Sequence, residues 1–150
     1  MGECGLDKRT AIPLALQISV FKQQLELVIP TQKPIILHCV AAFDEVIAIK
    51  KELSINNPMI IHGFSKNEQV AKSLWQQGFY LSFGKYLLRN PELENVFKFV
   101  PDHQIFLETD TVDETIYEVY EKAALIKGIP VEEMKRIVFT NFSRIFNKQL

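Results

Sequence analysis

The sequence predicts an α/β protein with parallel strands and helices flanking the sheet. Three observations carry this. Short apolar runs without alternation recur along the chain, as strands buried on both faces require. Segments with a single apolar stripe at helical spacing stand among them. The polar residues suited to chemistry fall at the ends of the runs, not inside them. Such an alternation of elements calls for right-handed crossovers between parallel neighbours.

In chain order, Leu14, Ile18, Phe21, Leu25 and Val28 form the first helical stripe. Pro34-Ile35-Ile36-Leu37-His38 is a strand, its proline tolerated only in the leading position. Ala42, Val46, Ile49 and Leu53 form a second stripe, and Pro58-Met59-Ile60-Ile61-His62 repeats the strand pattern. Ser65-Lys66-Asn67-Glu68 reads as a capping box, with Ser65 as cap of a helix carrying Val70, Leu74 and Trp75. Gly78 stops that helix, and Phe79-Tyr80-Leu81-Ser82-Phe83 makes a third strand before Gly84. Gln104-Ile105-Phe106-Leu107-Glu108 is the fourth. Thr111-Val112-Asp113-Glu114 reads as a second capping box, with Thr111 as cap of a helix through Ile116, Tyr120 and Ala123. Gly128 closes it, and Pro130 opens a last helix over 131–146. Strands and helices thus alternate along most of the chain, with Glu3 placed at the end of an earlier strand.

A chain of 150 residues with 47% hydrophobic content fits one domain around one core. The net charge of −1 argues against a binder that grips nucleic acid through many lysine and arginine contacts. It leaves room for an enzyme that holds phosphate through bound cations. No run approaches the roughly 18–20 apolar residues of a membrane helix, so no membrane partner is expected. The first residues lack the basic and apolar regions of a secretory signal, and Cys4 and Cys39 form no CxxC pair. A reduced, cytoplasmic chain is the expectation.

His38 and His62 each close an isoleucine-rich strand, Asp110 lies just beyond the fourth, and Glu3 occupies the end of an earlier one. The carboxyl ends of parallel strands are where α/β folds, and (β/α)8 barrels above all, collect ligands. Neutral imidazole and carboxylate are the usual donors to Zn²⁺, Mn²⁺ and related divalent ions. Each residue also has a plainer reading. A histidine at a strand end is commonly a satisfied core residue, Asp110 suits the start of a helix, and Glu3 suits a solvated terminus. Glu108 alternates with Asp110 and is expected to point the other way. Asp7, Lys8 and Arg9 read as a solvated loop, His103 as surface, and Lys50, Lys51 and Lys66 as solvated helix faces. Cys4 and Cys39 read as small buried thiols turned aside from their neighbours. Neither a phosphate-binding glycine loop nor a GxSxG elbow is present.

Six segments in order resemble the TatD-type metal-dependent hydrolases of the amidohydrolase superfamily. They are Gly2-Glu3-Cys4-Gly5-Leu6-Asp7 with Gln17, then Pro34 to His38, Ile60-Ile61-His62-Gly63-Phe64-Ser65, Gly78 to Phe83, Leu107-Glu108-Thr109-Asp110, and Asn141-Phe142-Ser143-Arg144-Ile145-Phe146. The resemblance implies a (β/α)8 TIM-type barrel with a divalent metal site (Zn, Mg or Mn) and hydrolysis of DNA or another phosphoester. It implies that Glu3 bridges two metals, that His38 and His62 bind the second, and that Asp110 binds the first and accepts a proton from the attacking water. Members of the family begin with an HxH motif on their first strand, whereas the histidines here are His38, His62 and His103. The expected fold is therefore a partial barrel with its first strands missing. Strands 34–38 and 104–108 would be its open edges, inviting self-association, and at most one metal would bind tightly. Two other readings stay open on the residues alone: a remnant that keeps the fold without turnover, and a non-catalytic α/β binding module.

Overall fold

A computed structural model describes residues 1–110 and 113–146. Five parallel strands form one sheet: β1 (Cys4–Asp7), β2 (Ile35–Val40), β3 (Met59–Ile61), β4 (Phe79–Phe83) and β5 (Ile105–Leu107). Their spatial order is their order in the chain. A doubly wound sheet reverses that order at a switch point; an arc of a (β/α)8 wall does not. The order therefore defines a partial barrel.

Helices α1 (Leu14–Val28), α2 (Phe43–Glu52) and α3 (Glu68–Gln76) make the first three crossovers. A pair, α4 (Lys85–Arg89) and α5 (Pro91–Phe99), lies between β4 and β5, and α6 (Ile116–Lys127) and α7 (Val131–Phe146) follow. The α4–α5 pair is absent from the sequence-derived order, although Asn90-Pro91 marks its second start. The Asn90 side chain accepts from the Glu92 amide at 3.1 Å, and Pro91 occupies the first helical position.

Residues 4–7 form a strand of their own instead of trailing an earlier one. Cys4 pairs with Leu37 and Asp7 with Val40, so β1, not strand 34–38, is the edge. Cys4 and Leu6 are buried while Gly5 and Asp7 are not, a period of two too brief to read from sequence. Gly5 permits the approach: a Cβ there would lie 1.8 Å from the His38 carbonyl oxygen. Glu3 accordingly precedes β1, where the Ile36 amide donates to the Met1 carbonyl at 2.8 Å and holds this stretch beside β2.

Two helix starts also differ. Asn67, not Ser65, caps α3, accepting from the Val70 amide at 3.1 Å. Thr115 caps α6 in a reciprocal box with Glu118; Thr111 lies outside the described residues. The stops at Gly78 and Gly128 stand, with φ of 77° and 68°.

A single core sits between sheet and helices, with Phe21, Phe64, Phe79, Phe83 and Phe97 at most 2% exposed. Phe83 packs edge-on to Phe64 and Phe97, with ring centres 5.5 and 4.9 Å away. Helix α1 buries Phe21, Leu25 and Val28, yet leaves Leu16 and Val20 exposed near the free edge of β1. Among the described residues no helix is long and apolar enough to cross a membrane.

Candidate metal centre

The strand ends bring the candidate ligands together. His38 lies in β2, and His62 follows β3 directly, its amide donating to the Leu37 carbonyl at 3.1 Å. His38 Nδ1 stands 3.2 Å from His62 Nε2, and Glu3 Oε2 lies 3.6 Å from the same nitrogen. Ligand atoms of Glu3, His38 and His62 all lie within 4.8 Å of one another. Asp110 is exposed and lines the same cavity, outside this trio.

The outward side of each ring meets a carboxylate. His38 Nε2 lies 3.4 Å from Asp7 Oδ2, and His62 Nδ1 lies 3.8 Å from Glu108 Oε1. Asp7 Oδ1 accepts from the Arg9 amide at 2.8 Å, and this bond, with His38 alongside, holds the carboxyl below its usual pKa. Glu108 Oε1 accepts from the Gly63 amide at 2.8 Å, and its other oxygen accepts from Ser82 Oγ. Burial pushes Glu108 up, but His62, Ser82 and the Gly63 amide together outweigh it and leave its pKa lowered. The Glu108 carboxylate in turn raises His62 against the opposing effect of burial, with the Glu3 charge assisting.

Three expectations from the sequence are corrected here. Glu108 faces the site: residues two apart on a strand share a face, so its spacing from Asp110 is no reason for it to turn away, and the Gly63 amide and Ser82 hydroxyl hold its carboxylate there. Asp7 belongs to β1, two residues beyond the Gly5 that pairs with His38 and so on the same face. Its backbone is clamped by Gln17, whose amide accepts from Asp7 N at 2.8 Å and donates to Asp7 O at 2.9 Å. Lys8 is likewise no free loop residue, for it pairs with Glu45 at 2.6 Å. Lys66 lies before α3 and lines the cavity with Lys85 and Arg9. Among the described residues none of these three cations makes an ion pair. Lys50 is also partly withdrawn from solvent, donating to the Ile55 carbonyl at 3.2 Å.

The thiols stay outside the cluster. Burial pushes Cys4 up to about 11 and Cys39 up to about 12, so both are neutral near pH 7. His103 is exposed in a turn that precedes β5, at the opposite end from the site.

The donors suit a divalent cation. The two nitrogens, 3.2 Å apart, and the Glu3 oxygen, 3.6 Å from His62 Nε2, are close enough together for one ion to be held by all three. Two imidazoles and one carboxylate, with a further position open, form a donor set typical of catalytic zinc. The cavity above them has a volume of about 190 Å³.

A sequentially ordered β/α arc with imidazole and carboxylate at its carboxyl rim is part of a (β/α)8-type wall carrying a candidate cation site. Residues 1–147 match the family described as TatD related DNase, and the chain belongs to that family. It is 29% identical over 164 residues to the uncharacterized metal-dependent hydrolase YcfH of Escherichia coli K12, an alignment covering 98% of this chain and 62% of YcfH. It is 31% identical over 115 residues to the 3'-5' ssDNA/RNA exonuclease TatD of Cronobacter sakazakii, covering 73% of this chain and 44% of that one. The crystal structure of YjjV, a TatD homolog from Escherichia coli, superposes with a TM-score of 0.87 at 22% identity, over 99% of this chain and 63% of YjjV. The chain thus spans about six-tenths of the length of YcfH and YjjV.

Proposed function

We propose that this chain is a metal-dependent hydrolase of phosphoesters, DNA ends or smaller phosphodiesters among them, with Glu3, His38 and His62 as cation ligands. The observation that carries the reading is the convergence of those three donors beneath a cavity edged by Arg9, Lys66 and Lys85. A bound divalent ion supplies Lewis acidity and brings the pKa of its water to about 7. The residues do the rest. Arg9, Lys66 and Lys85 draw an anionic phosphoryl group into the cavity and balance charge that grows on its oxygens. Asp110, on the rim, accepts the proton that the attacking water gives up and adds a carboxylate donor. Phe43 and Phe64 wall the cavity with apolar surface, which strengthens the electrostatics within it. The family description and the exonuclease name of the Cronobacter relative support the substrate class.

The test is turnover of single-stranded DNA and of a chromogenic phosphodiester, with and without chelator, by the wild type and by His62→Ala. The reading expects chelator-sensitive activity that falls at least 100-fold in the variant. Equal activity in both proteins would trace it to a contaminant and refute the assignment. Cation uptake with no turnover of any phosphoester would leave a binding site and not an enzyme.

A further inference from the structure

Each imidazole at the centre shows one nitrogen inward and one outward. The inward pair, His38 Nδ1 and His62 Nε2, face each other at 3.2 Å. The outward pair, His38 Nε2 and His62 Nδ1, face Asp7 and Glu108. A cation between the inward nitrogens would take a lone pair from each, and each neutral ring would then carry its proton on the outward nitrogen, facing a carboxylate that can only accept. The two histidines must then hold opposite tautomers, Nε2–H in His38 and Nδ1–H in His62. Without a cation, one ring can donate to the other across the 3.2 Å gap, or His62 Nε2 to Glu3 at 3.6 Å, and the outer carboxylates act against this by drawing each proton to the outward nitrogen.

Both carboxylates are anchored by groups that touch no ligand position. Asp7 is fixed by the Arg9 amide and by the Gln17 clamp on its backbone. Glu108 ties β5 to the loop after β3 and to Ser82 of β4. Gly84 leaves room for it: an added Cβ there would lie 3.1 Å from Glu108 Cγ. Neither carboxylate belongs to the ligand trio.

We infer that Asp7 and Glu108 are positioning residues, each locking one metal-binding imidazole in the tautomer that turns a lone pair inward. The inference rests on the cation reading of the site and adds the residues that prepare the apo chain for the ion. Outer carboxylates of this type are worth roughly 10–100-fold in metal affinity.

Long-range ¹H–¹⁵N spectra of the cation-free wild type, at a pH where the rings are neutral, report the tautomers without any substitution. His38 as Nε2–H and His62 as Nδ1–H are expected; mixed tautomers in either ring would overturn the assignment. Zn²⁺ and Co²⁺ affinities by chelator competition are then compared for wild type, Asp7→Asn and Glu108→Gln. The amides keep the size and an acceptor oxygen, so folding checked by circular dichroism should survive. A loss of roughly 10–100-fold is expected in each, with Asp7→Asn disturbing the His38 tautomer alone and Glu108→Gln that of His62 alone. Unchanged affinity and unchanged tautomers in both variants would sink the inference while wild-type binding left the cation reading intact. A wild type that held both tautomers but took up no ion would support the pairing and refute that reading.

Discussion

Gly5→Ala tests whether the site depends on the short first strand. The added Cβ would lie 1.8 Å from the His38 carbonyl oxygen, a backbone atom that no rotamer change can move. Relief requires β1 to retreat from β2 by about 1.2 Å, since real contacts at a Cβ essentially never fall below 3.0 Å. Such a shift breaks the β1–β2 ladder, loosens Leu6 and Cys4 in the core, and carries Glu3 away from His62. Overpacking together with a disfavoured backbone conformation costs about 3 kcal/mol or more. At this chain length that is a fall of roughly 6–12 °C in Tm. Gly78→Ala is the control. Its φ is also positive, at 77°, but a Cβ there meets nothing within 4 Å, so it should cost about 1 kcal/mol. Thermal melts and Zn²⁺ titration separate the two: Gly5→Ala should lose both stability and cation affinity, Gly78→Ala only a little stability. Gly5→Ala with a wild-type melt and full cation affinity would refute the role given to β1.

Elemental analysis of metal-supplemented protein should find about one divalent ion per chain, held by the trio; two stoichiometric ions, or none, would contradict the ligand set. At a free ion concentration of 100 times Kd, that ion should raise stability by about 2.7 kcal/mol, removable by chelator. In the cation-free chain the pairing of His62 with Glu108 makes stability depend on pH. The His62 contribution, from a raised pKa, is fully present below 6.5 and lost as pH rises through the folded value. The Glu108 contribution, from a lowered pKa, is present above 4.5 and lost as pH falls through the folded value. The Tm gap between wild type and Glu108→Gln should therefore be widest between about pH 4.5 and 6.5, and a pH-independent gap would be evidence against the pairing. The open edge of β1, beside exposed Leu16 and Val20, should drive the 150-residue polypeptide to self-associate. Light scattering should show larger species that Leu16→Lys with Val20→Lys disperses; a sharply melting monomer would count against this.

The two histidines were legible because each ends an apolar run, so that chain position alone placed them at the rim. Glu3 is weaker on its own: its place at a strand end suggests a ligand, a solvated terminus explains it equally, and the resemblance adds the bridging role. The strand that follows it, β1, is not legible, since four residues with one glycine offer no periodicity to detect, while the structure depends on that same glycine for backbone approach. Asp7 was lost with the strand. The expectation for Glu108 fails because residues two apart on a strand share a face and do not oppose each other, and the Gly63 amide and Ser82 hydroxyl hold it toward the site. Lys66 reads as a helix face only with Ser65 as the cap. Moving the cap two residues, to Asn67, returns Lys66 to the loop that lines the cavity.

These misses share a cause with a functional meaning. Periodicity and capping describe residues whose neighbours along the chain determine their direction, and they succeed through the core, where Phe79, Leu81 and Phe83 are buried as a strand demands. At the carboxyl rim the chain leaves its regular elements, and side-chain direction passes to partners distant in sequence: Glu108 to Gly63 across 45 residues, Asp7 to His38 across 31. A site that must hold a cation at fixed distances needs such long-range ties, because short loops alone would leave each donor free to turn. The residues that local rules misplaced are thus the ones the centre uses to hold its ligands still, and a substitution at Asp7 or Glu108 should disturb the cation before it disturbs the fold.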